Sequence, residues 1–228
     1  MYNCSFCDEI NKVEDNDLFK KIFKDEGITD RILLETDSFV VMPTIGSFVE
    51  GYMLIVTKNH YTSIAQISEE ELCELNCVIK TCKSLISDKL NKKSVLFEHG
   101  SVPSCKTSGA CVEHAHLHIV PSNVDIDGAL EEYEAEICEI EGLNHLQKNF
   151  STDPYLYYQS ISEKEYLVES DIIPYQFFRQ VLCSAFGTLE YWDWRKNYGV
   201  ENIKKTLEIF KKSDFSNKFD EIKKEVIR

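Results

Sequence analysis

The sequence predicts an α+β fold, and three observations carry that prediction. Short apolar runs bounded by turn residues recur between Arg31 and Pro121, as strands do. A long stretch opening at Ser68 has helical periodicity and a capped start. His114-Ala115-His116-Leu117-His118 alternates strictly, and a strand turns that spacing into one polar row and one apolar row. On a helix the same residues would be smeared around the axis.

Taken in order, the chain opens on Cys4-x-x-Cys7, by spacing half of a zinc site or else a pair of ordinary buried thiols. Residues 11–30 are polar and charged, with a short helix expected around Asp17–Asp25. Arg31-Ile32-Leu33-Leu34-Glu35 and Ser38-Phe39-Val40-Val41-Met42 read as two short strands around a Thr36-Asp37 turn. A loop with two glycines runs from Pro43 to Gly51, and the apolar strand Tyr52–Val56 follows. Ser68 then serves as a helix N-cap and Glu71 completes its capping box, with an acidic first turn that suits the helix dipole. Leu72, Leu75, Val78, Ile79, Cys82, Leu85 and Ile86 recur at helical spacing as an apolar stripe.

Ser94–Gly100 is the next strand. Glu98-His99 near its end could serve as acid/base or ligand residues, or hydrogen-bond loop backbone. The loop 101–111 is rich in Ser, Thr and Gly and carries Lys106. Its amides, hydroxyls and cation could embrace a phosphate, or it could be a plain connector. Past the triad, Asp127–Phe150 reads as a helix, acidic in its first half. Tyr155–Tyr158 and Glu165–Val168 suggest a hairpin. Pro174 leads into a helix over Tyr175–Phe186 that carries Arg179 and ends at Gly187. Tyr191-Trp192-Asp193-Trp194-Arg195 comes next, then an amphipathic, Lys-rich helical tail over Glu201–Arg228. Arg179 or Arg195 could clamp a phosphate; the aromatics could equally latch this region onto the core. With no linker, repeat or low-complexity tract, one compact unit with a C-terminal subdomain is the simplest account.

Composition narrows the function. The chain has 228 residues, 43% hydrophobic and 28% charged, an ordinary soluble balance. A net charge of −14 argues against a duplex-binding protein. No segment approaches the ~18 uninterrupted apolar residues of a membrane helix. The N-terminus lacks the basic flank and apolar core of a signal peptide. Nine scattered cysteines suit reduced thiols, and a cytoplasmic location follows by default.

Imidazole chemistry gives the histidine row its use. If the Nδ1–H of His116 is held by a backbone carbonyl, its Nε2 is left free as a nucleophile. Neighbours on the same face can then donate hydrogen bonds to an anion under attack, which suits covalent catalysis at phosphorus. A metal site or an exposed strand that happens to carry histidines are the competing readings.

His114-x-His116-x-His118 followed by Ile119-Val120-Pro121 resembles the signature of the histidine triad (HIT) hydrolases, and the resemblance covers about Cys4 to Pro121. It implies a HIT-like antiparallel sheet with packed helices over residues 1–124, and a mostly helical C-terminal extension over 125–228. His116 is the implied nucleophile at the α-phosphorus of a nucleotide derivative, either a dinucleoside polyphosphate or a nucleoside phosphoramidate. His118 is then placed at the phosphate and His114 supports it. The resemblance also implies a structural zinc on Cys4 and Cys7, with His60 as third ligand and His114 as fourth, and requires no catalytic metal. Pairing of two copies through the apolar stripe of the long helix is a further implication; an inward-facing core stripe is the alternative.

Two departures from the family pattern stand out. No acidic or amide residue for the ribose hydroxyls occurs near Met42-Pro43-Thr44. Ala110 and Cys111 occupy positions where the family carries Gln and Ser or Thr against the phosphate or leaving group. Substrate contacts therefore fall to His99, Lys106, Ser108 and Cys111. A nucleotidylyltransferase is one rival reading, although such enzymes usually have glutamine at the position of His118. A catalytically weak nucleotide-binding regulator is the other.

Overall fold

A computed structural model describes residues 4–101, 113–131, 135–169 and 174–226. Eight strands form one sheet in the order β1-β2-β3-β5-β4-β7-β8-β6, every neighbouring pair antiparallel. They are β1 (Leu34–Glu35), β2 (Phe39–Pro43), β3 (Met53–Thr57), β4 (Lys93–Gly100), β5 (His116–Ser122), β6 (Glu136–Ile140), β7 (Tyr155–Gln159) and β8 (Glu165–Glu169). The histidine strand β5 lies inside the sheet between β3 and β4, with His118 opposite Leu54 on one side and Phe97 on the other. Its alternation works as read from the sequence: Ala115, Leu117 and Ile119 enter the main core while His116 and His118 face the other way.

The long helix α3 (Glu69–Leu90) starts with the anticipated capping box, Ser68 accepting from the Glu71 backbone and Glu71 reaching back to the Ser68 N–H. Its apolar stripe is buried against the sheet and under α8 (Lys212–Val226), which adds Phe215, Phe219 and Ile222 to the same core. The stripe is therefore a core face within one chain. Lys89 of α3 also pairs with Asp214 of α8 at 2.7 Å. At the N-terminal end α1 spans Ser5–Ile10, and α2 (Leu18–Phe23) is capped by Asp17, which accepts from the Lys20 N–H at 2.9 Å.

The C-terminal half carries the expected helices and adds three strands to the sheet. The predicted helix over Asp127–Phe150 is instead α4 (Asp127–Glu131), strand β6, and α5 (Asn144–Asn149). Glu136-Ile137-Cys138-Glu139 is an exposed edge strand, where charge costs little and discourages pairing with other chains. The β7–β8 hairpin forms as read, and β7 pairs with β4, so the sheet runs unbroken from one half of the chain into the other. Behind it come α6 (Phe177–Ala185) and α7 (Val200–Ile209). The seven cysteines among the described residues are free thiols. Among those residues, no helix is long and apolar enough to cross a membrane.

Candidate active site and metal cluster

The histidine row divides between two sites. His114, just ahead of β5, donates from Nε2 to the Thr57 carbonyl at 2.7 Å, which leaves the Nδ1 lone pair free. That Nδ1 lies 3.3 Å from Cys4 Sγ, 3.5 Å from Cys7 Sγ and 3.2 Å from His60 Nδ1, and the Cys7 and His60 ligand atoms are 3.3 Å apart. Four metal-ligating atoms thus converge within 4.8 Å of one another, from α1, the end of β3 and the start of β5. Burial and the neighbouring Cys4 push the Cys7 thiol up to about 12, so a proton stays there until a cation displaces it.

His116 and His118 face a pocket instead. The backbone carbonyl of His114 accepts from His116 Nδ1 at 2.6 Å, which turns Nε2 into an unprotonated lone pair. His118 has the complementary tautomer. Arg179 can only donate, and its guanidinium donates to the Tyr52 hydroxyl oxygen at 3.3 Å. The Tyr52 proton therefore goes to His118 Nδ1 at 2.7 Å, which leaves His118 Nε2 carrying its hydrogen as a donor. Phe97 stacks flat on the His118 ring at 4.2 Å and fixes its plane. Burial lowers His116 and takes His118 well below the usual histidine range, and it brings His99 down to about 3; neighbouring His116 and then Arg179 push His99 the same way. All three rings are neutral near pH 7, one presenting a lone pair and one an N–H.

Two walls enclose these histidines. The N-terminal wall holds Phe6, Glu9, Leu18 and Arg31, with Ile45 and Leu54 beside them. Phe6 sits 5.2 Å from the His116 ring. Glu9 and Arg31 form a buried double hydrogen bond, 2.7 Å at each contact, and Arg31 also donates to the Pro43 carbonyl. The C-terminal wall holds Gln176, Arg179 and Trp194. Arg179 donates to the Gly46 carbonyl at 2.6 Å and to the Trp192 carbonyl at 2.8 Å. Gly46, at φ +80°, is where Trp194 presses on the loop after β2, and a Cβ there would run into it.

The residues expected from the sequence are distributed accordingly. His99 joins His116 and His118 at the pocket, whereas its neighbour Glu98 turns into the core and accepts from the Ile64 N–H and the Tyr155 hydroxyl. Cys4, Cys7, His60 and His114 come together as one cluster. Lys106, Ser108, Ala110 and Cys111 lie outside the described residues. Arg179 reaches the site but spends its donors on carbonyls and Tyr52; Arg195 pairs with Asp193 and is half exposed. Near Thr44, where a ribose ligand was missing, the pocket presents the Thr44 side chain and the Glu9–Arg31 pair. Tyr52, Glu9, Arg31 and Gln176 carried no sequence signal, because each acts through partners distant in the chain.

The family model for the HIT domain matches residues 25–124. An uncharacterized HIT-like protein of Methanocaldococcus jannaschii is 27% identical over 130 residues, spanning 50% of this chain and 96% of its own length. A second uncharacterized HIT-like protein, from Saccharolobus solfataricus, is 27% identical over 121 residues, spanning 52% and 73%. Among solved structures, a Zn-bound histidine triad family protein from Mycobacterium smegmatis aligns at 19% identity and a TM-score of 0.39, covering 53% of this chain and 75% of its own. A hypothetical histidine triad nucleotide-binding protein from Sulfolobus tokodaii aligns at 21% and 0.40, covering 52% and 68%.

Proposed function

We propose that this chain, which carries a HIT domain over residues 25–124, is a hydrolase that cleaves a nucleoside phosphate derivative at its α-phosphorus through a histidine–nucleotidyl intermediate. The observation that carries the reading is the pair of hydrogen bonds, His116 Nδ1 to the His114 carbonyl and Tyr52 hydroxyl to His118 Nδ1, which together imply a free His116 Nε2 beside a His118 Nε2–H on one pocket. The nucleoside takes the apolar N-terminal wall of Phe6, Leu18, Ile45 and Leu54. His116 Nε2 then forms a bond to phosphorus while the bond to the leaving group breaks; the leaving group takes a proton from solvent, and the water that later attacks phosphorus returns one. His118 and the field of Arg179 stabilise charge on the non-bridging oxygens. Water next cleaves the phosphorus–nitrogen bond and restores neutral His116. Lys106, Ser108 and Cys111, close to the triad in sequence, are assigned to the phosphate and leaving group.

The Cys4, Cys7, His60 and His114 set fits a structural zinc. Bonds of about 2.3 Å to sulfur and 2.0–2.1 Å to nitrogen put ligand atoms roughly 3.3–3.8 Å apart in a tetrahedron, and the observed contacts run from 3.2 to 3.5 Å. When bound, the ion supplies a cross-link between α1 and the triad strand. Because Phe6 and Glu9 ride on α1, that cross-link steadies the N-terminal wall.

Intact mass after incubation with diadenosine tetraphosphate or adenosine phosphoramidate tests the reading. A nucleotidyl adduct is expected on the wild type and on neither His116→Ala nor His116→Gly, with turnover down by at least ~1,000-fold. Turnover retained without His116 removes the nucleophile assignment. Nucleotide bound with neither adduct nor turnover transfers the chain to the regulator reading.

A further inference from the structure

The C-terminal wall keeps one buried polar group without a partner. Gln176 is 2% exposed and lines the pocket with His99, His116, His118, Arg179 and Trp194. Neither its Nε2 nor its Oε1 closes a hydrogen bond. The Asp193 carboxylate, held below its usual range chiefly by Arg195, feels the Gln176 amide only weakly. The backbone at Gln176 is left-handed as well, φ +57° and ψ +42°, a conformation in which glycine is at home and glutamine is not. Backbone strain and an unsatisfied buried amide at one residue on the wall of a site are what a ligand-borne partner would relieve.

The position of Gln176 says which part of a ligand it meets. Phe178, two residues on, directs its N–H at His99 Nε2 at 3.4 Å, and Arg179 reaches His118 through Tyr52. Gln176 therefore belongs to the His99–His118 side, across the histidines from the apolar wall that suits the nucleoside. We propose that Gln176 is a specificity-determining ligand contact, its carboxamide pairing with a neutral donor–acceptor edge on the group beyond the phosphorus. Such an edge is carried by an amine bearing a carboxamide and by a nucleobase; a bare phosphate, which only accepts, engages just the Nε2 half. The inference rests on the nucleotide reading above.

Calorimetric titrations on the His116→Ala chain, which binds without turnover, test it with three probes. AMP lacks any extension. AMP joined through phosphorus to the amine of glycinamide carries an amide edge, and diadenosine tetraphosphate carries a base edge. Adding Gln176→Leu is expected to weaken one of the extended probes roughly tenfold while leaving AMP within about twofold. Gln176→Gly relaxes the left-handed backbone, so the same loss in both variants assigns it to the amide and not to misfolding. Loss confined to the glycinamide probe identifies a carboxamide-bearing amine; loss confined to the dinucleotide identifies a base. Equal weakening of all three, or of none, overturns the assignment. Failure of every probe to bind with Gln176 intact overturns the nucleotide reading and this inference with it.

Discussion

The two walls of the pocket solve opposite problems. On the N-terminal wall, Glu9 and Arg31 satisfy one another in full, and Arg31 further bonds Pro43 and lies over the Phe19 ring at 4.7 Å. What remains there for a ligand is mainly apolar surface, with the Ser5 and Thr44 side chains beside it. On the C-terminal wall, Arg179 holds two carbonyls and a tyrosine, and the Gln176 amide closes no hydrogen bond and acts only weakly on Asp193. A closed ion pair fixes shape, whereas an open amide and an unneutralised guanidinium can discriminate among ligands. The first wall comes from residues 6–54, partly ahead of the span 25–124 that the family model matches, and the second comes wholly from residues beyond that span.

Breaking the closed wall should give the largest effect. Glu9→Ala strands the Arg31 guanidinium in the interior and should cost roughly 3–5 kcal/mol, a fall in Tm on the order of 10 °C, measured by thermal unfolding. The double replacement Glu9→Leu with Arg31→Met should recover most of that loss, since no charge is then buried alone. If Glu9→Ala unfolds like the wild type, the wall is not a scaffold.

Metal removal should come next and act on the same wall. Chelation, or Cys7→Ser, should lower Tm by several degrees and weaken nucleotide binding through the loosened α1. The matched variant Cys73→Ser, at an exposed thiol outside the cluster, should change neither. On the open wall the consequence should be kinetic. Tyr52→Phe removes the proton that fixes the His118 tautomer, and kcat should drop about 10–100-fold with Tm shifted little. Steady-state kinetics that show a change in KM alone would place Tyr52 in binding and not in the fixing of His118.

The smallest effect separates two neighbours on β4. Burial raises Glu98 to about 8, so its folded state holds a proton that the unfolded state releases from about pH 4.5 upward. Its contribution to stability therefore falls between about pH 4.5 and 8. Burial takes His99 down to about 3, so the unfolded state binds the extra proton below about 6.5 and stability falls as pH drops towards 3. Together the pair gives a plateau between about pH 4.5 and 6.5 with a decline on each side. Glu98→Gln should remove the alkaline decline in denaturant titrations and leave the acid one; an unchanged alkaline limb would refute the assignment.

What could be read from the sequence was local. The triad spacing, the Ser68–Glu71 box, the Asp17 helix start and the 155–168 hairpin each depend on residues a few positions apart, where geometry follows from period and propensity. The metal cluster was reachable only because the family resemblance supplied His60 and His114, 53 and 107 residues from Cys7. Strand β6 was hidden because an acidic run reads as a solvated helix when nothing marks it as the edge of a sheet. Arg179 was visible as a cation, but not that Gly46 and Tyr52, more than 120 residues away, would absorb its donors. Gln176 was invisible for the same reason: its backbone angle and its empty amide exist only once the walls meet.

The β4–β7 ladder bears on how the chain can be cut. Five residues of β4, Leu96 to Gly100, pair with Gln159 to Tyr155. A fragment ending at residue 124 would carry the triad and the metal ligands yet present that row of amides and carbonyls, backed by apolar side chains, to water. Such an edge recruits strands from other molecules. The shorter piece should therefore precipitate or gather into inclusion bodies, while the intact chain, ending its sheet on the acidic margin of β6, stays dispersed.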